Sequence, residues 1–285
     1  MIHLIVPAFN SFSALCLCLG SIYAQDHKDM KVVVIDDAST DDRIAPLVQK
    51  FCDQQGWTAI INPVNLQCPQ NLVLGIEASD PAPDDIIFIL DGDDWLPHQR
   101  VLSHIVEVYS QNPATWLTYG SYVCVPADSE APTTSWYPLE TVLARTYRTH
   151  PITLFNHPIT FKKFLWDALD PESDFKYPDK TWVEGVYDEA IMYPMLEMAT
   201  NHYQRLGEIL YVYNSNNPLS VKYSMPEKVR RAGEFLRSLP IKPLMRLEGD
   251  GLLEEPLSQM RRFGGNEIPI RSMRSQRQEV GYPVP

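Results

Sequence analysis

Asp85-Ile86-Ile87-Phe88-Ile89-Leu90-Asp91-Gly92-Asp93-Asp94, residues 85–94, runs an unbroken apolar stretch straight into three carboxylates. An apolar run this short and without helical spacing reads as a strand buried on both faces. The same plan occurs twice upstream. Ile2-His3-Leu4-Ile5-Val6 is closed by Pro7, and Lys31 to Ile35 (KVVVI) ends in Asp36-Asp37-Ala38-Ser39-Thr40-Asp41-Asp42. Helical spacing fills the intervals. Leu15, Leu19 and Ile22 follow the possible caps Asn10, Ser11 and Ser13, and a second helix runs through Leu47 and Phe51. Trp57 to Ile61 reads as a third strand and Pro69 to Ser79 as a helix. Pro97 marks a first helical turn ahead of Val101, Leu102, Ile105 and Val108. Buried strands alternating with amphipathic helices specify an α/β protein: a central, mostly parallel sheet with helices on both faces. Such sheets bind ligands at the carboxyl ends of their strands, which here carry the acids.

Beyond Gln111 the pattern loosens. Thr115 to Val125 reads as a strand, Phe161–Leu169 and Glu189 to Ala199 as helices, and Glu208–Tyr213 as a strand. Residues 226–239 form an amphipathic helix, followed by a polar, Arg-rich tail. The expected organisation is a domain over 1–225, divided near residue 110, and a helical or irregular extension over 226–285.

The chain has 285 residues, 45% of them hydrophobic and 21% charged, which excludes a disordered or fibrous protein. Its 24 prolines against 13 glycines indicate stiff, irregular connections around a regular core. The net charge of −12 is uneven: residues 226–285 hold 11 Lys+Arg and 8 Asp+Glu, or +3, which leaves −15 on residues 1–225. So acidic a body argues against nucleic acid as ligand. A phosphate-bearing substrate would need a metal ion or a local cationic rim.

The five cysteines (Cys16, Cys18, Cys52, Cys68, Cys124) lack a zinc spacing; Cys16 and Cys18 read as small buried hydrophobes. Met1 to Gln25 is uncharged. It has no cationic start, and Pro7, Asn10, Ser11 and Ser13 interrupt it, so it reads as the first β-α unit rather than a targeting peptide. A soluble cytoplasmic protein is expected. The basic residues of 226–239 offer at most peripheral membrane contact, and packing on the main domain is the preferred reading.

An Asp at a strand-to-helix turn is also an ordinary N-cap, and Asp36-Asp37 taken alone leaves both readings open. Asp91-Gly92-Asp93-Asp94 is harder to explain so, because three carboxylates in four residues repel one another unless a cation joins them. Oxygen ligands at that density suit Mg²⁺ or Mn²⁺, which keep positions open for phosphate and water.

Four segments carry a family resemblance in order and spacing over roughly the first 110 residues: Val6-Pro7-Ala8-Phe9-Asn10, Val34 to Asp41, Asn65 to Ala78 (NLQCPQNLVLGIEA) and Phe88 to Asp94. Together they resemble the nucleotide-sugar half of a family 2 glycosyltransferase with the Rossmann-like GT-A fold. The resemblance implies an inverting, metal-dependent transfer of a sugar from a nucleotide-diphosphate donor, a UDP-sugar by preference, to a hydroxyl of a glycan, lipid-linked or protein acceptor. It places the donor base against Pro7 and Ala8 with Asp37, or alternatively Asp36. Asn10, Asn65 and Asn71 face the donor, and Asp91 and Gly92 lie by the ribose and metal. Asp93 is the metal ligand of the D-x-D motif, with Asp91 beside it, and Asp94 stands behind them or caps the next helix. Cys68-Pro69-Gln70 replaces the small residues usual there, which puts that loop's contacts in question. Arg148 and Lys222 are candidate diphosphate contacts.

Tyr187-Asp188-Glu189 opens a helix where the family carries an acidic pair. That makes Asp188 the expected base, with Glu189 second, its carboxylate kept ionised by the helix dipole. A plain helix cap is the competing reading. The alternatives for the whole chain are a catalytically degenerate nucleotide-sugar-binding protein or a nucleotidyltransferase on a related fold. The latter is disfavoured because Pro7–Ser13 lacks Gly, Lys and Arg.

Overall fold

The computed structural model describes residues 1–127, 134–219 and 225–245. The apolar runs become strands: β1 (Ile2–Ala8), β2 (Met30–Asp36), β3 (Thr58–Ile61), β4 (Ile86–Ile89), β5 (Leu117–Val125), β6 (Ile159–Lys162) and β7 (Tyr203–Asn214). They form one seven-stranded sheet in the order β3-β2-β1-β4-β6-β5-β7. Neighbours pair in parallel except at β6, which runs antiparallel to both β4 and β5. The sequence places a helix from Phe161. Instead, the chain makes the four-residue β6 and then a single turn of helix at Lys163–Asp167. So short an apolar run carries no periodicity that separates strand from helix.

Helices α1 (Phe12–Tyr23), α2 (Ile44–Gln55), α3 (Gln67–Ser79) and α4 (Val101–Gln111) follow the first four strands in turn. Strand alternation divides the core in two. Ile2, Leu4 and Val6 pack with α1, α2 and α4 on one face. Ile5, Val33 and Ile35 face α3 on the other, in a cluster that continues through Trp116, Tyr119, Tyr137, Tyr147 and Phe161. Gly75 lets α3 sit close: a Cβ there would fall 2.5 Å from Ile5 Cγ2. Overpacking of this kind costs about 1–3 kcal/mol. Of the two paired cysteines, Cys18 is buried as expected, but Cys16 is exposed on the outer face of α1.

In chain order, α5 (Leu139–Ala144), α6 (Lys163–Asp167) and α7 (Pro171–Asp174) are short, whereas α8 (Tyr187–Ala199) is almost wholly buried after its first turn. Helix α9 (Pro226–Ser238) buries Ala232, Gly233 and Leu236. Its four cations are all engaged. Lys228 pairs with Glu184, Arg230 with Glu227 and Glu234, and Arg237 with Glu189, while Arg231 lies over the Tyr177 ring. Among the described residues, no helix is long and apolar enough to cross a membrane.

Candidate active site

Because β1 has β2 on one side and β4 on the other, its turn parts from theirs at the switch point of strand order, where a crevice opens. Main-chain bonds tie the three turns together: Gly92 N donates to Pro7 O at 2.9 Å and Asp37 N to Ala8 O at 2.9 Å. Gly92 is required by contact. A Cβ on it would lie 2.6 Å from that of Ala8 and 2.8 Å from Pro7 O.

The side chains after β1 and β2 serve this scaffold. Asn10, at a φ of 50° that Asn tolerates well, accepts from Thr40 N at 2.8 Å and Asp41 N at 3.2 Å. Asp36 accepts from Ser39 N at 3.0 Å. The buried Asp37 carboxylate accepts from Leu66 N (2.7 Å), Gln67 N (2.9 Å) and Asn62 Nδ2 (2.9 Å), so it anchors the start of α3. Asn65 donates to Asp37 O, and Asn71 is buried, its Oδ1 accepting from Asn62. Asn71 therefore braces Asp37 from within the core.

The turn after β4 is held from far along the chain. Tyr187 Oη donates to both Asp91 oxygens at 2.8 Å. Tyr211 Oη donates to Asp94 at 2.7 Å, and Asn214 N to the other Asp94 oxygen at 2.7 Å. Asn217 Nδ2 donates to Asp93 at 2.6 Å. Asp94 therefore buttresses the turn and caps no helix. Trp95 bridges to Val212 of β7, and α4 begins only at Val101 rather than at Pro97. The His157 ring stacks on Tyr211 with centroids 4.8 Å apart, and burial lowers its pKa to about 4, leaving it neutral behind the turn.

These carboxyls share one field. Burial and then Asp93 push Asp91 up to about 7, opposed by the Tyr187 hydrogen bond. Asp93 is raised by burial against the pull of Asn217, and Asp94 by burial and both neighbours. A cation relieves strain of this origin, so the donor set fits a hard divalent ion at Asp93 and Asp91. Among the described residues no group of three or more His, Cys, Asp and Glu could by itself hold a metal. Such an ion would thus take its remaining ligands from substrate and water.

Asp188 lies close enough for its charge to raise Asp91. Its own pKa is raised, not lowered as the dipole argument predicts. Burial outweighs the amides of Asp188 and Glu189, which favour the ionised form. Glu189 is turned to α9, with Arg237 Nη2 at 2.6 Å from its Oε1. Cys68 also stands in the crevice. Burial and the charges of Asp91, Asp37, Asp188 and Asp93 hold its thiol well above the usual range, so it is protonated and unreactive.

Arg148 is not brought to the crevice. It is buried, with Nε 2.7 Å from Glu197 Oε1 and Nη1 donating to Leu236 O at 2.6 Å, an internal tie where the sequence suggested a diphosphate contact. Lys222 lies outside the described residues. In sequence, Tyr187 opens the helix of Asp188, and Tyr211 to Asn214 with Asn217 form a segment resembling the close of the family's domain, but none of them is assigned a contact. The one available signal was that Tyr187 adjoins Asp188 and that Tyr211, Asn214 and Asn217 are polar or phenolic in one short segment. An open cavity of about 610 Å³ at the amino ends of β2 and β3, lined by Lys31, Trp57 and Ser79 among others, includes none of these acids.

Residues 3–168 match the profile of glycosyl transferase family 2. The chain belongs to that family. It is 33% identical over 113 residues to an uncharacterized glycosyltransferase of Nostoc, a stretch that spans 38% of this chain and about a third (32%) of that relative. Among solved structures, Staphylococcus aureus TarS in complex with UDP-GlcNAc superposes with a TM-score of 0.57 at 15% identity, covering 84% of this chain and 68% of that one. The mannosyltransferase PcManGT of Pyrobaculum calidifontis, in complex with GDP-Man and Mn²⁺, gives 0.55 at 14% identity, covering 98% and 79%. Glucosyl-3-phosphoglycerate synthase of Mycobacterium tuberculosis, with Mn²⁺, UDP and glucosyl-3-phosphoglycerate, gives 0.54 at 16%, covering 84% and 81%. At these identities the likeness establishes the GT-A fold, and the acidic crevice lies where that fold places its strand ends.

Proposed function

We propose that this family 2 member transfers a sugar, with inversion, from a nucleotide-diphosphate donor to an acceptor hydroxyl. The observation that carries the reading is the convergence of carboxylates from two distant parts of the chain. Asp91-Gly92-Asp93-Asp94 and Asp188 face one crevice, joined by the Tyr187–Asp91 hydrogen bond. A UDP-sugar is the favoured donor, in keeping with the UDP or UDP-GlcNAc bound by two of the structural neighbours.

The roles follow from position. Pro7, Ala8, Asp36 and Asp37 form the wall on which the nucleoside would rest, and because the Asp37 carboxylate already accepts three N–H bonds, it shapes this wall more than it reads a base. Asp93 and Asp91 would hold a Mn²⁺ or Mg²⁺ ion, which when bound supplies positive charge to a diphosphate that this acidic crevice would otherwise repel. Asp188 takes the proton from the acceptor hydroxyl as that oxygen bonds to the anomeric carbon. The bond from that carbon to the diphosphate oxygen breaks with its electron pair, releasing a nucleoside diphosphate. Burial lifts Asp188 from the ordinary carboxylate range toward working pH, which strengthens it as a base.

Calorimetric titration with UDP, GDP, CDP and dTDP, with and without Mn²⁺, tests the donor side. One nucleotide is expected to bind only with metal, and Asp93→Ala to weaken it about 100-fold. Binding of none by the wild type, under either condition, would remove the transferase reading and leave a degenerate member of the fold.

A further inference from the structure

The two acids that open α8 diverge, as successive helical residues do. Asp188 acts on the crevice, since its charge reaches Asp91, Tyr187 and Cys68. Glu189 faces α9: Arg237 Nη2 lies 2.6 Å from Oε1, and the Glu189 side chain is only 13% exposed. Its Oε2 is buried without a hydrogen-bond partner. Helix α9 approaches here so closely that a Cβ at Gly233 would stand 2.9 Å from Arg237 Nη1 and 3.5 Å from Glu189 Oε2.

The docking of α9 is fixed along its length. At the far end of α8, Arg148 joins Glu197 to Leu236 O, and Glu197 Oε2 also accepts from Lys242 N at 3.0 Å. Ahead of α8, Lys228 meets Glu184 at 3.0 Å. The chain beyond α9 returns to α8 through Met245 N and Met198 O, 3.1 Å apart. A helix tied at two levels to the base-bearing helix and once to the segment ahead of it is not an appendage.

We propose that α9 completes the acceptor half, and that Arg237 is a positioning residue that draws Glu189 out of the crevice and leaves Asp188 as the base. The proposal rests on the transferase reading above and extends it to a segment outside the stretch that matches the family profile. Facing Glu189 are Asp188 and Tyr193 on α8, Arg237 on α9, and Tyr137, Arg148 and Thr153 from the irregular segment ahead of β6. Burial raises Asp188, and the Arg237 charge opposes that rise after the amides of Glu189 and Asp188, so loss of Arg237 moves the ionisation of the base further toward high pH.

The test uses the full chain with Mn²⁺ and UDP-GlcNAc or UDP-glucose, following UDP release to water from pH 5.5 to 9 and UDP affinity by calorimetry. Arg237→Ala is expected to bind UDP within about twofold of wild type, to release it about tenfold more slowly, and to shift the acid limb to higher pH. Arg237→Lys should recover most of the rate. An Arg237→Ala variant with the wild-type rate and profile would overturn the proposal, as would one whose rate and UDP affinity fall together. Should Arg237→Ala not fold, Glu189→Gln decides: retained turnover agrees with Asp188 as base, and lost turnover assigns the base to Glu189. Failure of the wild type to bind any nucleotide would instead strike the donor reading itself.

Discussion

The two halves of the crevice are built by different means. In the turns after β1 and β2, carboxylates are set mainly by the main chain. Asp36 takes the amide of Ser39, Asp37 the amides of Leu66 and Gln67, and Gly92 donates to Pro7 O. In the turn after β4 and along α8, side chains do most of the holding: Tyr187 on Asp91, Tyr211 on Asp94, Asn217 on Asp93, Arg237 on Glu189 and Arg148 on Glu197. A site held by amides tolerates change in neighbouring side chains, whereas one held by phenols and guanidinium groups is exposed to single substitutions.

Four substitutions test that contrast, in falling order of effect. Asp188→Asn should lower UDP release from a UDP-sugar about 1000-fold with UDP affinity unchanged, and turnover at the wild-type rate would move the base elsewhere. Arg148→Ala leaves Glu197 buried without its partner and should cost about 3–5 kcal/mol in urea unfolding. Tyr187→Phe keeps the ring but frees Asp91, and turnover should drop about tenfold, since hydrogen bonds to charged groups contribute about 1.5–3 kcal/mol. Its counterpart in the turn after β2, Ser39→Ala, removes only the acceptor of Asn10 N and should stay within about twofold. Equal losses from these last two would erase the distinction between the halves.

The smallest effect is on stability and depends on pH. Burial, with Asp188, raises Glu189 to about 7 in the folded chain, well above its ordinary value of 4.5. The folded state therefore holds a proton that the unfolded chain has released, and stability falls as pH climbs from 4.5 through about 7. Glu189→Gln should raise the melting midpoint at pH 8 by roughly 2–4 °C and leave it unchanged at pH 4.5. The same gain at both pH values would point to packing instead.

This division also explains what the sequence could disclose. The acids themselves are local to their strands: Asp36-Asp37 and Asp91-Gly92-Asp93-Asp94 stand at or just past the strand ends, so the parallel sheet and its acidic edge can be read from 85–94 and 31–42. The ties to the turn after β4 join residues 96, 117 and 124 positions apart, and no spacing rule links Tyr187 to Asp91, Tyr211 to Asp94 or Asn217 to Asp93. Arg148 misleads for the same reason. Its acidic partner, Glu197, lies on the inner side of a helix whose apolar face is all that periodicity reveals. Strand β6 is hidden because four residues display no period.

The phenol bonds across the crevice have a consequence for motion. Tyr187 belongs to α8 and Tyr211 to β7, yet both grip the loop after β4, and all the strands share one continuous sheet. A clamshell opening between the halves would have to break both phenol–carboxylate bonds at once, so the halves travel as one body. Motion that admitted a ligand to such a frame would fall to the loop segments around a fixed centre rather than to domain closure.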